Sequence, residues 1–278
     1  MKNIKFHIDD YGVLPSINSQ IINHISKNKI DSVSYICNSK YSSSYLKKFK
    51  EIVKKKKINV SCHLNLTQFG AKKYKLTFLK LLFYSFFPNL KIKKIINRLI
   101  KVQLNFFLSN IKIKNKTVLI DGHQHVHIFP IVQSELEKIF KKKKINYKLR
   151  NSNESIFFHL HMSKIHLSIL NYIKLFLIKI IYLIFKQNKN FLNTEFIGII
   201  CTGIQTKKSI IKGLSNINKH HKGQIQILFH PFRINHEYLD KLNLNINNYK
   251  YFISKDRNIE ISFLNNIKSK KNFLKTIL

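Results

Sequence analysis

Thirteen acidic residues against fifty lysines and arginines leave this chain few carboxylates to place, yet two stand side by side in "HIDDYG", residues 7–12. Successive strand side chains point to opposite faces, so Asp9 and Asp10 can serve one site only where a strand is ending. A like-charged pair there is costly unless compensated, and a bound cation compensates it. Four further motifs carry groups of the kind that surround such a cation. They are "CHLNLT" with His63, "DGHQHVH" with Asp121, His123, His125 and His127, "KLR" ending at Arg150, and "LFHPFR" with His230 and Arg233. Imidazoles at alternating positions have few uses besides metal chemistry. A straight strand sets side chains two apart about 7 Å from each other and those four apart about 13 Å, so one ion bound at about 2 Å cannot hold all three. At least one of the three lies outside the ion's own ligands, and spacing alone does not say which. His230 before Pro231 can simply end a strand. Only four arginines remain among the cations, and a guanidinium kept in such a chain suits a planar, two-pronged contact.

The elements that must position these groups read as an alternation. Short β-type runs occupy Ile4–Ile8, Ser32–Ile36, Ile58–Cys62, Thr117–Ile120, Ile145–Leu149, Phe196–Ile200 and Gln224–Phe229. Runs of helical period lie between them, over Ile17–Ile25, Tyr45–Val53, Ile92–Phe107 and Val132–Phe140. This is the pattern of parallel strands joined by crossover helices, whose active sites form just past the strands' carboxyl ends. Each chemistry-bearing motif falls just after such a run. With 278 residues, seven glycines, four prolines and no linker-like stretch or internal repeat, the chain is expected to form one domain over residues 1–278.

The formal charge of +37 invites a nucleic-acid reading, but the cations are almost all Lys and are spread along the chain. Runs such as Lys54–Lys57 and Lys141–Lys144 read as wet helix ends, and no nucleic-acid module accompanies them, so no specific nucleic-acid partner is expected. Cys37, Cys62 and Cys201 form no paired motif and suit a reducing compartment, which together with the acids at positions 9 and 10 points to the cytoplasm.

Taken in order, "DDYG", "CHLNLT", "DGHQHVHIFP", "KLR" and "LFHPF" resemble the YdjC-like carbohydrate deacetylases, a family that includes chitooligosaccharide deacetylases and relatives associated with hopanoid pathways. The resemblance runs from residue 4 to about residue 265. It implies an α/β fold, a distorted (β/α) barrel of the glycoside hydrolase/deacetylase type. It also implies a metal-dependent hydrolase that removes an acetyl group from an N-acetylated sugar or glycoconjugate. Carried over motif by motif, Asp9 becomes the catalytic base and His230 the catalytic acid. Asp10, His63 and His123 become the ligands of one divalent metal ion, Mg or Zn. Arg150, His125 and His127 then contact substrate or support those ligands. One carboxylate and two imidazoles suit Zn, Co or Mn better than Mg. His7 stands where the family has Asn, Tyr11 where it has Phe, and "RNSNE" lacks the usual proline; these departures leave the ligands intact and bear on substrate identity. The competing reading is a non-catalytic carbohydrate- or lipid-head-group-binding protein on the same barrel.

The most hydrophobic stretch, Ile165–Phe185 within a helical segment at about residues 163–187, contains Lys174 and Lys179. A spanning helix would bury both charges, so a helix packed on the barrel is expected instead. The functional alternative is a helix lying peripherally on the inner face of the membrane, joined by "LTFLKLLFYSFF" at residues 76–87, which would bring the site to a lipid-linked glycan. A homodimer is compatible with the sequence.

Overall fold

The computed structural model describes residues 3–113, 115–155, 169–185, 189–217, 221–241, 244 and 249–277. Seven strands form one sheet: β1 Asn3–Tyr11, β2 Ser32–Tyr35, β3 Asn59–Leu64, β4 Thr117–Gly122, β5 Asn146–Leu149, β6 Thr194–Ile197 and β7 Gln224–Phe229. Their order is β5-β4-β3-β2-β1-β7-β6, and every pairing is parallel. Between or after them come α1 Pro15–Ser26, α2 Leu46–Lys56, α3 Phe78–Phe86, α4 Leu90–Asn110, α5 Pro130–Lys143, α6 Ile169–Ile184, α7 Lys207–Ser215, α8 His236–Lys241, α9 Lys250–Ile253, α10 Arg257–Asn266 and α11 Lys270–Lys275. The sheet curls until its edges approach: Leu149 at the end of β5 bridges to Phe191, just ahead of β6. The result is the distorted α/β barrel that the resemblance implied, built of the parallel strands and crossover helices that the alternation predicted. The basic carboxyl end forms the helix α11, which packs outside β1, with Lys270 bonded to the Ile4 carbonyl and to Asp31.

Local signals account for the helix ends. Pro15 and Pro130 occupy first helical positions, where a missing N–H costs nothing. Thr77, Asn89, Thr206 and Ser269 each accept a backbone N–H at the start of α3, α4, α7 and α11. At the ends of α2 and α5 the left-handed residue is Lys57, φ 54°, and Lys144, φ 53°, where glycine is the easier occupant.

Strand alternation divides the barrel wall. Outward-facing Phe6 packs on Phe229 and on Phe273 of α11, with ring centroids 5.0 and 5.9 Å apart. Inward-facing positions of β1 to β4 carry His7, Asp9, Ser34, Ser61, His63 and Asp121, all buried. Strands of a parallel sheet are ordinarily apolar on both faces, so this polar interior marks where the chemistry sits. The long apolar run emerges as α6 over its described part, residues 165–168 lying outside the described residues. Leu175, Ile178 and Ile181 bury its inner side. Among the described residues no helix is long and apolar enough to cross a membrane.

Candidate functional site

A bulge lets both acids face the same way. β1 pairs with β2 as His7 with Ser32 and Ile8 with Val33, then resumes at Tyr11 with Tyr35, so one extra residue is accommodated on β1. Asp10 takes φ 71°, a conformation costing about 1 kcal/mol for a residue with a Cβ, and its carboxylate turns into the barrel beside that of Asp9. Gly12 follows at φ +100°, where a Cβ would lie 2.3 Å from the Ile36 carbonyl oxygen, so only glycine fits this return.

Asp10, His63 and His123 each present one donor atom, all within 4.8 Å of one another. Asp10 Oδ1 lies 3.5 Å from His63 Nε2 and 3.1 Å from His123 Nδ1. The outer nitrogen of each ring is already engaged: His63 Nδ1 is 2.7 Å from Asp121 Oδ1, and His123 Nε2 is 2.9 Å from Gln68 Oε1. Carboxylate and amide oxygens accept these N–H groups, leaving the inner nitrogens as lone-pair donors, which is how metal-bound imidazoles are held. The charge agrees. Asp9, Asp10 and Asp121 against Arg150 and Lys174 leave the buried cluster one charge negative when its imidazoles are neutral, a deficit that a cation relieves. Burial works to lower the His63 pKa, but Asp9 and Asp121 outweigh it and raise it to about 10. Asp10 is held well below the usual carboxylate range, burial opposing and the imidazoles of His123, His63 and His230 prevailing.

A second group of possible ligands, His7, Asp9 and Asp121, also converges within 4.8 Å, but a guanidinium already fills its centre. Arg150 donates from NH1 to Asp9 Oδ2 at 2.9 Å and from NH2 to Asp9 Oδ1 at 2.8 Å, and its NH2 lies 2.6 Å from Asp121 Oδ2. This is the two-pronged contact expected of a retained arginine. Burial pushes the Asp9 pKa up, but Arg150, His63 and His7 pull it well below its ordinary value, so Asp9 is ionised. His7 Nε2 lies 2.9 Å from Asp9 Oδ1, and Ser34 and Ser61 donate to Asp121 Oδ2 at 2.5 and 2.6 Å.

The three histidines of "DGHQHVH" part company because the chain leaves the strand at Gly122 and coils through a 3-10 turn over His123–Ile128, with Gln124 and His125 at φ 54° and 59°. The straight-strand geometry assumed from spacing therefore does not apply, although its consequence survives: His123 alone of the three reaches the ligand set. His125 Nδ1 lies 3.0 Å from Ser152 Oγ, and His127 Nε2–H donates to the Arg150 carbonyl at 3.0 Å. Burial lowers both pKa values, that of His127 to about 4, so both rings are neutral props. His230 Nε2 lies 3.9 Å from Asp9 Oδ2 and from Asp10 Oδ2. Burial drives its pKa down to about 3 against the pull of these acids, so the resting ring is neutral and not the pre-charged imidazolium that an acid role suggests. Arg233 bonds the Ile253 carbonyl at 3.3 Å, bracing a loop away from the acids.

Sequence reasoning gave no role to Asp121, Ser34, Ser61, Gln68 or Lys174. The serines had a signal, polar residues at alternating positions of strands that should be apolar on both faces. Asp121 is paired with His63 by the β3–β4 register, and Gln68 had no signal. Lys174 reaches in from α6, its pKa lowered to about 8 by burial against the attraction of Asp9 and Asp10. A separate, largely apolar cavity of about 910 Å³ opens at the amino ends of β3 and β4, beside Val53, Val60 and Leu119, far from these groups.

Comparison with known proteins bears on the family and the fold. Among curated proteins none matches the chain. A crystal structure from Enterococcus faecalis V583, of a protein provisionally described as a cellobiose-phosphate cleavage protein, superposes with a TM-score of 0.61 at 16% identity. The superposition covers 99% of this chain and 94% of that one, and at this identity it shows the fold. The profile of the YdjC-like proteins matches residues 3–273, nearly the whole chain, and this protein belongs to the YdjC-like family.

Proposed function

We propose that the protein is a carbohydrate-processing enzyme that hydrolyses the acetamide of an N-acetylated sugar or glycoconjugate with the help of one divalent metal ion. The observation that carries this reading is the convergence of Asp10, His63 and His123 within 4.8 Å, with Asp9 and His230 at their edge. An ion held by those three side chains would leave coordination positions open and supply Lewis acidity, polarising the acetamide carbonyl and acidifying water. By ligand type Zn, Co or Mn fits this set better than Mg.

The chain's own groups do the proton work. Asp9, ionised and oriented by Arg150, takes the proton of the attacking water. His230 enters the cycle neutral, so the proton it hands to the departing nitrogen is the one the water has lost, passed across the 3.9 Å gap from Asp9. The C–N bond breaks, giving acetate and a free amine. Arg150 and His7 fix the direction of the Asp9 carboxylate, and Lys174 offers a cation to an anionic group on the substrate. The description of the Enterococcus protein as acting on a sugar phosphate is in keeping with such a group.

Acetate release measured over a panel of N-acetylated sugars, phosphorylated sugars and lipid-linked glycans, with and without chelator, tests the reading. Asp9→Asn should lower release by about 10²–10⁴-fold, the usual worth of a general base, while the variant still binds the metal. Turnover undiminished in that variant, or release indifferent to chelation, would remove Asp9 or the ion from the reaction.

A further inference from the structure

α6 is apolar on both its inner and its outer side, which is out of place for a helix in water. Its two lysines point inward, Lys174 toward the acids of the site and Lys179 to Asn153 Oδ1 at 2.6 Å. The outward stripe is apolar along its whole length: Ile169, Leu170, Ile173, Phe176, Leu183 and Ile184 are all exposed, Leu183 at 86%. Beside it α3 and the residues after it present Leu79, Phe83, Phe86, Phe87 and Leu90, also exposed. The two stripes touch, the Phe86 and Phe185 rings standing 4.9 Å apart. Eleven of the fifteen exposed large apolar side chains among the described residues belong to this one face. Scattered exposed apolar residues need no explanation, but a contiguous face of this kind marks an interaction surface.

Charge selects the occupant. No Asp or Glu occurs anywhere in residues 52–120 or 155–194, the two segments that supply the face, and exposed Lys80 and Lys91 adjoin Leu79 and Leu90 at its rim. A second copy would bring one strongly cationic face against another, each chain carrying +37. A bilayer with anionic head groups satisfies both components, taking the apolar side chains into the acyl boundary and the lysines among the phosphates. The described part of α6 has 16 residues, about 24 Å of helix, and its lysine pair is directed into the protein, so this part lies along the surface. We infer that the joined outer faces of α3 and α6 dock this protein on anionic membrane surfaces. Both helices pack on the turn that carries His123, so docking holds the candidate site at the lipid–water boundary. The inference concerns binding alone and stands apart from the hydrolytic reading.

Sedimentation of the full chain with vesicles tests it at physiological salt, using phosphatidylcholine mixed with phosphatidylglycerol and, in parallel, phosphatidylcholine alone. The expected result is binding to the anionic vesicles, weakened about tenfold or more in the Phe83→Asp/Phe176→Asp double variant, with its unfolding midpoint unchanged. Leu79→Asp with Leu183→Asp repeats the measurement at independent positions of the same face should the first pair perturb folding. Three results would overturn the inference. They are no binding by the parent protein, binding undiminished in both double variants, which would mean adhesion by lysines alone, and a parent dimer that the substitutions dissolve, which would mean that a second copy covers the face.

Discussion

Replacing Asp121 with Asn tests the site's electrostatics where no ligand atom is touched. The carboxylate accepts from His63 Nδ1 at 2.7 Å through one oxygen, and from Ser34, Ser61 and Arg150 through the other. Asn keeps the shape and one carbonyl acceptor but removes the charge that makes the His63 ring electron-rich and fixes its tautomer. A hydrogen bond to a charged group contributes about 1.5–3 kcal/mol, equivalent to a factor of roughly 10–150 in an equilibrium constant. Loss of a carboxylate behind a metal-bound imidazole costs about 10–100-fold in affinity, so two routes agree. Titrating the metal-free protein with Zn against a chromophoric chelator should show that loss in Asp121→Asn. The His63 pKa, followed by NMR in the metal-free state, should fall from about 10, since one of the two acids that raise it is gone. Unchanged affinity and an unmoved His63 titration together would refute the reasoning, for they would mean that Asp121 answers to Arg150 alone.

Removing the ion should lower stability: at a hundred times the dissociation constant a metal contributes about 2.7 kcal/mol, so the thermal midpoint should drop on chelation and recover on adding Zn, and Asp10→Asn should show neither change. His24, buried on α1, has its pKa lowered to about 4 by burial, with Lys29 and Lys27 adding to it. Its folded value lies below the unfolded 6.5, so the stability tied to its neutral form is full above that pH and is lost as pH falls toward 4. The linkage amounts to about 2 kcal/mol between pH 7 and pH 5, and urea unfolding of His24→Gln at the two pH values should show an acid loss smaller than the parent's by that amount. Lys57→Gly and Lys144→Gly relieve left-handed strain at the ends of α2 and α5 and should each stabilise by about 0.5–1 kcal/mol in the same assay.

Strands and helices were legible because each carries its own period. β7 was expected at Gln224–Phe229 and occupies those residues, and the four periodic helical runs fall within or across α1, α2, α4 and α5. The errors cluster where side chains intervene. β1, β3 and β4 run on through Asp9–Tyr11, Leu64 and Gly122, since polar site residues look like strand ends when read one at a time. The run expected at Phe196–Ile200 stops at Ile197. The reason is Glu154, whose buried carboxylate accepts the N–H groups of Gly198, Ile199 and Ile200 at 3.1, 2.6 and 3.1 Å, so those donors are withdrawn from any sheet. A carboxylate more than forty positions away in the chain leaves no trace in the local pattern.

The same division runs through the site. That Asp9, Asp10, His63, His123, Arg150 and His230 would meet followed from their places after parallel strands, a property of each segment by itself. What each then does depends on register and on turns. The bulge at Asp10 brings two adjacent acids to one side, the pairing of His63 with Asp121 sets a tautomer, and the coil after Gly122 separates His123 from His125 and His127. α6 adds a third kind of information. Its sequence reads as an apolar helix interrupted by two charges, and only its placement shows that those charges point inward and the apolar stripe outward. For a helix immersed in water this arrangement has the wrong sign, whereas on a bilayer the outward stripe is buried and Lys174 stays with the acids of the site. The vesicle measurement therefore decides whether the face that departs most from the rules for soluble helices does so because its natural solvent is lipid.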